Sequence, residues 1–202
     1  PNVIKEIKSK SFFKFLDKKK INYPESTSHY PQKGKWLIKS FKSFGGNEVK
    51  IQKTTTNIKN HQYFQEYLEG KSISVQFFVK KKKVNILGVC DQILKSPDGH
   101  NFIGKTLISR KISPNFFRKI LSIIKNISNF FSLNGINSVD LILKKANIFI
   151  LEINPRPGLS SRIISSINKD FLNKDTSLKI INNAPYFSTT IIYAKKNILI
   201  NK

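Results

Sequence analysis

The sequence predicts an α+β fold in which antiparallel sheets pack against helices. Short apolar runs with period-two alternation fill residues 63–90, and turn-forming residues separate them. A stretch with helical periodicity follows over residues 113–131. It leads into two further alternating runs, residues 138–144 and 148–154, whose short separation favours a hairpin. Local pairing of this kind is typical of antiparallel sheets.

The first third of the chain predicts one helix and two strands. Residues 10–19 place apolar side chains at helical spacing, and Pro24 closes the segment because the residue before a proline resists helix. Residues 36–38 form a short apolar run, residues 43–47 form a loop around two glycines, and alternation resumes over residues 49–51. We therefore expect a strand, a loop and a strand.

The remainder predicts strands over residues 63–68, 73–79 and 84–90, a long helix over 113–131, a shorter helix over 160–172 and a last strand over 189–193. Ser113 and Pro114 are typical of a helix start, and Gly135 of the chain just after a helix end.

The hairpin carries an acidic pair. If residues 145–147 form its loop, alternation puts Asp140 directly opposite Glu152. Two carboxylates about 5 Å apart repel each other unless a positive charge lies between them. A divalent cation is one solution, and a lysine partner or exposure to water is the other. The same register pairs Ser138 with Asn154, Ile142 with Ile150 and Lys144 with Ile148, and buries Val139, Leu141, Leu143, Phe149, Leu151 and Ile153.

The neighbours of the acidic pair favour the metal. Asn154 adds an amide oxygen on the face of Glu152, and an all-oxygen set suits Mg²⁺ or Mn²⁺ rather than zinc. Arg156 lies between two prolines just beyond, where a planar cation would meet a phosphate or an acyl phosphate. The cluster predicts nucleotide chemistry.

The composition restricts the class of protein. A chain of 202 residues with 39% hydrophobic content can bury a core as one domain or two joined lobes. Its net charge of +24 is typical of polyanion binding, but lysine is scattered evenly along the chain and is overused together with Asn, Ile and Phe. This indicates a general compositional bias, so we expect no nucleic-acid partner. The lysine run at residues 80–83 lies between two apolar runs and predicts a hairpin turn.

The single cysteine, Cys90, excludes an intrachain disulfide, and no histidine is spaced with it for zinc. We expect a reducing cytoplasm. Charged residues interrupt the longest apolar stretch, residues 116–133, so we expect no membrane span. The chain starts at Pro1 and contains no methionine, and we expect it to be a piece of something longer.

The order of several motifs adds a resemblance. A lysine at a strand end, Lys39, precedes a Gly-Gly loop that either cradles phosphates or is an ordinary turn. Residues 65–70, Gln-Glu-Tyr-Leu-Glu-Gly, follow, and Asp140 precedes the Glu-Ile-Asn of residues 152–154 by twelve positions. From about residue 3 to about residue 167 this order of motifs resembles the ATP-grasp superfamily. The sequence is most similar to predicted carboligases related to biotin carboxylase.

The resemblance implies two α+β lobes whose antiparallel sheets enclose a nucleotide cleft. Residues 1–70 would form the first lobe, with the phosphate loop and a hinge strand, and residues 71–202 the second, with the metal-binding hairpin. The amino-terminal domain that usually precedes this fold is missing from the chain. A homodimer or a partner chain that supplies this domain would complete the acceptor site.

The resemblance also implies the cofactors ATP and Mg²⁺ or Mn²⁺, and it assigns roles to individual residues. Ser72 stands where many members have a ribose-binding glutamate, and the phosphate loop has fewer glycines than usual. The implied phosphate contacts are Lys10, Lys39, Ser43, Gly45 and Gly46; the adenine contacts are Gln65, Glu66 and Leu68; the metal ligands are Asp140, Glu152 and Asn154; and the catalytic residues are Lys39 and Arg156.

Members of this superfamily activate a carboxylate by phosphoryl transfer from ATP. The resemblance therefore implies a carboxylate–amine ligase whose partners are a small carboxylate and a small amine. Two alternatives stay open: a carboxylase-type ligase that uses bicarbonate, and a nucleotide-binding lobe without turnover.

Overall fold

The computed structural model describes residues 3–42, 49–52, 57–94, 105–167 and 188–191. The predicted glycine loop and the end of the predicted helix over residues 160–172 lie outside these ranges. The elements within them, in chain order, are α1 (Val3–Ile7), α2 (Lys10–Lys18), β1 (Ser26–Thr27), β2 (Trp36–Ser40), β3 (Lys50–Ile51), β4 (Gln62–Glu66), β5 (Lys71–Lys80), β6 (Lys83–Leu94), β7 (Lys105–Ser109), α3 (Pro114–Phe130), β8 (Gly135–Lys144), β9 (Asn147–Asn154), α4 (Ser161–Ile167) and β10 (Ser188–Ile191).

The described strands form two antiparallel sheets. The first has the order β1-β4-β2-β3, and the second has the order β10-β7-β6-β5-β8-β9. Hairpins join β5 to β6 and β8 to β9 in the second sheet. The first of them turns at Lys81 and Lys82, whose φ angles of 49° and 63° suit a two-residue connection. The predicted α+β class with antiparallel sheets is confirmed.

One face of the second sheet holds the main core. Alternate residues of β5, which are Ile73, Val75 and Phe77, are fully buried on this face. The apolar stripe of α3 packs here because its buried residues recur at helical spacing, and Ser113 caps the helix by accepting a hydrogen bond from the Phe116 backbone N–H at 3.2 Å. The long helix was predicted correctly.

The helices at the start of the chain pack into this same core. Phe12, Phe15 and Leu16 of α2 are buried in it, and the Phe15 ring stacks on Phe130 at a centroid distance of 4.4 Å. The chain therefore passes over the second sheet before it forms the first one. No helix among the described residues has both the length and the apolar character needed to cross a membrane.

The opposite face of the second sheet is divided between α4 and a cleft. Over the middle strands, Ile163 and Ile164 of α4 form a small apolar cluster with β6 and β7. Gly88 allows this packing, because a Cβ there would lie 2.8 Å from Ile164 Cγ1. The part of this face that α4 leaves uncovered lines the cleft.

The register of the β8–β9 hairpin differs from the prediction near its turn. Lys145 adopts a left-handed φ of 55°, so the turn is one residue shorter than expected and Lys144 pairs with Asn147. A bulge at Leu151 then restores the predicted pairing of Asp140 with Glu152. The expected pairs Ile142–Ile150 and Lys144–Ile148 were wrong, as was the burial of Phe149 and Leu151, and Ile148 and Ile150 are buried instead.

Candidate active site

The cleft between the two sheets has a cavity volume of about 190 Å³. The first sheet contributes β2 and β4 to its walls, and the second sheet contributes β5, β6, β8 and β9. Residues of α1 and α2, the turn between them, and the segment that follows β4 also line it. The cleft contains both carboxylates of the predicted metal pair together with Lys39, Gln65 and Ser72. Residues far apart in the chain therefore meet in one space.

Asp140 is oriented by a hydrogen-bonded chain across the second sheet. Gln92 Nε2 on β6 donates to Asp140 Oδ1 at 2.9 Å, and Ser72 Oγ on β5 donates to Gln92 Oε1 at 3.2 Å. Because these three side chains lie on the cleft face of adjacent strands, Ser72 acts on the carboxylate through Gln92. Gln92 was not predicted as a site residue. Its only signal in the sequence is that it lies just beyond the predicted strand over residues 84–90.

Glu152 lies beside Asp140 and contacts two further groups. The Nζ atom of Lys8 is 3.5 Å from Glu152 Oε2, and Asn154 Nδ2 donates to Glu152 Oε1 at 3.2 Å. Asn154 is buried, with 6% of its surface exposed. The structure therefore brings together all three predicted metal ligands at the end of the β8–β9 hairpin.

Lys8, rather than Lys10, lies at the acidic pair. Lys10, to which the resemblance gives a phosphate contact, is exposed and lines a separate cavity with Lys14 and Asp17. Lys8 lies in the turn between α1 and α2, just before the Ser9 cap, so helical spacing does not single it out in the sequence.

Lys39 projects from β2 into the cleft. Its Nζ donates to Gln65 Oε1 at 3.0 Å, and Gln65 Nε2 donates in turn to Ser26 Oγ at 3.1 Å. Desolvation by burial lowers the pKa of Lys39, and the carboxylates of Glu152 and Asp140 oppose this effect. The lysine and the acidic pair therefore interact across the cleft, from opposite sheets.

Tyr63 lies directly across the β2–β4 ladder from Lys39. Burial raises the pKa of the Tyr63 phenol, and the carboxylate of Glu152 raises it further. Tyr63 is therefore a neutral, apolar wall of the cleft. It carries no charge that could compete with a bound anion.

The predicted hinge segment borders the cleft through Glu66, Tyr67 and Leu68. Strand β4 ends at Glu66, earlier than predicted, and two backbone hydrogen bonds hold the chain there. The Glu66 N–H donates to the Glu25 carbonyl and the Tyr67 N–H to the Lys35 carbonyl, both at 2.8 Å. The segment crosses from one sheet to the other along the wall of the cleft.

Other predicted site residues lie elsewhere. Arg156 is exposed, and its NH1 atom donates to the Pro157 carbonyl at 3.2 Å rather than to a group in the cleft. Ser43, Gly45 and Gly46 lie outside the described residues.

The donor set around the hairpin fits Mg²⁺. Asp140 and Glu152 supply carboxylate oxygens from directly paired positions, and Asn154 supplies an amide oxygen next to them. Among the described residues, no three His, Cys, Asp and Glu side chains are grouped so as to hold a metal ion, so the two carboxylates would need the Asn154 amide to complete the set. A hard cation that keeps part of its water shell matches two carboxylates and an amide.

Comparisons with known proteins show the family and the fold of the chain. The ATP-grasp domain family matches residues 8–160. Tyramine–L-glutamate ligase from Methanocaldococcus jannaschii is 28% identical over 156 residues, which cover 71% of this chain and 46% of that protein. The chain thus spans less than half the length of this relative.

Two solved structures share the fold. The L-amino acid ligase from Bacillus licheniformis gives a TM-score of 0.66 at 13% identity and covers 83% of this chain and 45% of its own. N5-carboxyaminoimidazole ribonucleotide synthetase from Thermotoga maritima gives a TM-score of 0.62 at 20% identity. The match covers 86% of this chain and 47% of that protein's chain. Together with the family match over residues 8–160, the shared architecture places the chain in the ATP-grasp family.

Proposed function

We propose that the chain is the nucleotide-binding part of an ATP- and Mg²⁺-dependent carboxylate–amine ligase. The observation that carries the proposal is the meeting of Lys39 and Lys8 with the Asp140–Glu152 pair in one cleft. Two cations and two carboxylates that face a shared space suit a phosphate chain held with a divalent metal. The similarity to two proteins named as ligases of amino acids supports the same class of reaction.

In this proposal Asp140, Glu152 and Asn154 hold the metal, which neutralises charge on the β- and γ-phosphates when bound. Lys39 contacts the phosphates from the first sheet. Lys8 takes the second phosphate contact, in place of Lys10, because its ammonium already lies at the acidic pair.

The remaining contacts follow the walls of the cleft. Gln65 and Glu66 edge the adenine, and Leu68 offers its backbone to the base. Ser72 faces the ribose. The resemblance gives phosphate contacts to Ser43, Gly45 and Gly46, which lie outside the described residues.

The reaction requires little covalent participation from the protein. A carboxylate oxygen of the substrate attacks the γ-phosphorus, the bond to the β–γ bridging oxygen breaks, and ADP leaves. The amine nitrogen then attacks the acyl carbon, inorganic phosphate leaves, and the amine loses a proton to water or phosphate. Arg156 steadies the transferred phosphoryl group after it turns away from the Pro157 carbonyl. The protein contributes alignment and charge neutralisation.

We infer that the two sheets correspond to two lobes divided near residue 70, with the acceptor site completed by a further domain, a second copy or a partner chain. The chain spans 46% of its tyramine–glutamate ligase relative, which leaves room for such a domain in the whole protein. A reducing cytoplasm suits the buried free thiol of Cys90.

The test separates binding from turnover. Calorimetry with Mg·ATP measures affinity, and ADP and phosphate release is then measured with a panel of amino acids as acids, with and without amines such as tyramine, and with bicarbonate alone. We expect release that requires both an acid and an amine, with a mass increase that matches an amide. Glu152→Gln is the matched control and should lose metal-dependent turnover.

Release with bicarbonate in the absence of an amine would replace the proposal with a carboxylase-type ligase. Tight Mg·ATP binding without ADP release under any substrate condition would indicate a nucleotide-binding lobe without turnover instead of a ligase. Unchanged turnover in Glu152→Gln would remove this residue from the metal ligands.

A further inference from the structure

A buried polar cluster lies on the second sheet next to the cleft. Gln76 on β5 is fully buried, and Ser74, Asn137, Ser138 and Ser160 around it are at most 3% exposed. Gln76 is not among the residues that line the cleft. Buried polar groups away from a ligand need another explanation.

The hydrogen bonds of Gln76 join three separate segments. In the amide orientation that satisfies both of its polar atoms, Oε1 accepts from the Gly158 N–H and from Ser160 Oγ, each at 2.9 Å. Nε2 donates to the Asn137 carbonyl on β8 at 3.2 Å. The Ser160 and Ser74 hydroxyls share a further hydrogen bond of 3.2 Å, which returns the network to β5.

Gly158 makes this contact possible. A Cβ at this position would lie 2.5 Å from the Gln76 amide and 2.8 Å from Ser138 Oγ. The backbone therefore approaches the sheet more closely than any other residue would allow. The short segment from Asn154 to Gly158 is held at both ends, because Asn154 pairs with Ser138 and Gly158 bonds to Gln76.

Only three residues, Pro155, Arg156 and Pro157, lie between these two anchors. The prolines restrict the backbone on either side of Arg156. With both ends fixed, the backbone of Arg156 has a defined position just beyond the end of β9, while its exposed side chain can still rotate. Loss of one anchor would free the segment without changing the cleft walls.

We propose that Gln76 is a positioning residue that fixes the segment carrying Arg156 next to the metal-binding hairpin. The catalytic part of this inference rests on the proposed function, because Arg156 acts on the transferred phosphoryl group only if that reaction occurs. The structural part is that Gln76 limits the motion of Arg156.

The first experiment measures motion directly. Arg156→Cys introduces a site for a nitroxide spin label, and Cys90 should not react because burial raises its pKa to about 12. The unsubstituted chain, which should take up no label, checks this. We expect the label at position 156 to become more mobile in the Gln76→Met background, since methionine keeps the length of the side chain and loses its hydrogen bonds.

Two further variants keep the test decisive. Ser160→Ala removes one bond of the network and should raise the mobility of the label by a smaller amount, even if Gln76→Met folds poorly. Ile124→Val, in the buried stripe of α3 and remote from the segment, serves as a control for a general loss of stability. It should leave the mobility of the label unchanged.

The second experiment measures turnover in chains that retain Arg156. Gln76→Met should lower kcat about 10- to 100-fold, the range for misplaced catalytic groups, while the Kd for Mg·ATP changes less than about twofold. Equal label mobility in Gln76→Met and the parent would overturn the positioning role, whatever the turnover. Absence of acid- and amine-dependent turnover in the unsubstituted chain would instead overturn the proposed function, and the label would still decide the role of Gln76.

Discussion

Asp140 and Glu152 lie side by side on the β8–β9 hairpin, and lysines from two other elements face them. Lys8 contacts Glu152 directly, whereas Lys39 bonds to Gln65 and interacts with the carboxylates over a longer distance. Because the Glu152 side chain is 35% exposed, its ion pair contributes at most about 1 kcal/mol to stability. This ion pair therefore contributes little to the free energy of unfolding.

A matched pair of lysine substitutions tests which lysine serves the site. Lys8→Gln should weaken Mg·ATP binding about tenfold, since a charged hydrogen bond contributes about 1.5–3 kcal/mol. Lys10→Gln should change it less than about twofold, because Lys10 is exposed and lines a separate cavity. Calorimetric titration measures both. A larger loss in Lys10→Gln would restore the role that the resemblance gave to Lys10.

The lowered pKa of Lys39 predicts a pH dependence with a defined sign. The folded chain disfavours the charged form, so the free energy of unfolding should rise as pH rises through the lowered pKa towards the ordinary value of 10.5. Lys39→Met should remove this rise, which denaturant unfolding over the alkaline range measures. A rise of equal size in Lys39→Met would assign the effect to other groups.

Over the same pH interval, the affinity for Mg·ATP should fall, because the neutral amine of Lys39 attracts phosphate less than its ammonium form does. Lys39→Arg keeps its charge and should show a flatter profile. Calorimetry at several pH values compares the two chains. Parallel profiles would argue against a phosphate contact at position 39.

At the scale of elements, small adjustments in two strand pairs shape the site. The bulge at Leu151 places this residue and Glu152 together in the wall of the cleft, where strict alternation would separate them. The bulge near Gln76 shifts the β5–β6 register, and α4 packs on the sheet nearby, over Gly88. The sheet is thereby divided into a covered half and a cleft half.

The packing of α4 predicts a measurable coupling. Gly88→Ala should destabilise the fold by about 1–3 kcal/mol through overpacking against Ile164. Ile164→Ala removes the atoms that clash, so the double variant should lose less stability than the two single variants combined. Thermal or denaturant unfolding of the four chains measures the coupling. Additive losses would show that the sheet, not the helix, absorbs the added methyl group.

At the scale of the whole molecule, the early helices and the first sheet meet the second sheet on opposite faces. The α1–α2 segment joins the main core, yet it also delivers Lys8 to the cleft. The net charge of +24 acts in addition as a long-range attraction for anions. A specific nucleotide site and a general affinity for polyanions therefore need separate tests.

Ligand-induced stabilisation distinguishes the two. Mg·ATP at about 100 times its Kd should stabilise the fold by about 2.7 kcal/mol, whereas duplex DNA should bind weakly and lose affinity steeply as salt rises. Thermal unfolding at low and moderate salt measures both ligands. Stabilisation by DNA that persists at moderate salt, with none from Mg·ATP, would favour a nucleic-acid function.

The sequence by itself determined the antiparallel α+β class and the long helix, because these depend on periodicity and on contacts between neighbours in the chain. The predicted pairing of Asp140 with Glu152 holds only because a bulge at Leu151, which the sequence did not predict, restores the register. The order of the motifs, which includes the twelve-residue spacing of Asp140 from Glu152, likewise gave the resemblance to the family. The predicted hairpin register was wrong near the turn, because an apolar pattern does not specify the left-handed backbone conformation of Lys145.

Only the tertiary structure decided which side chains converge on the acidic pair. Lys8, Gln92 and Lys39 come from three distant parts of the chain, and their meeting depends on how α1, α2 and the two sheets pack. It likewise revealed that Gln76 reaches across 82 residues to Gly158. Local patterns fix local structure, whereas a site built from long-range contacts exists only once the core has brought its elements together.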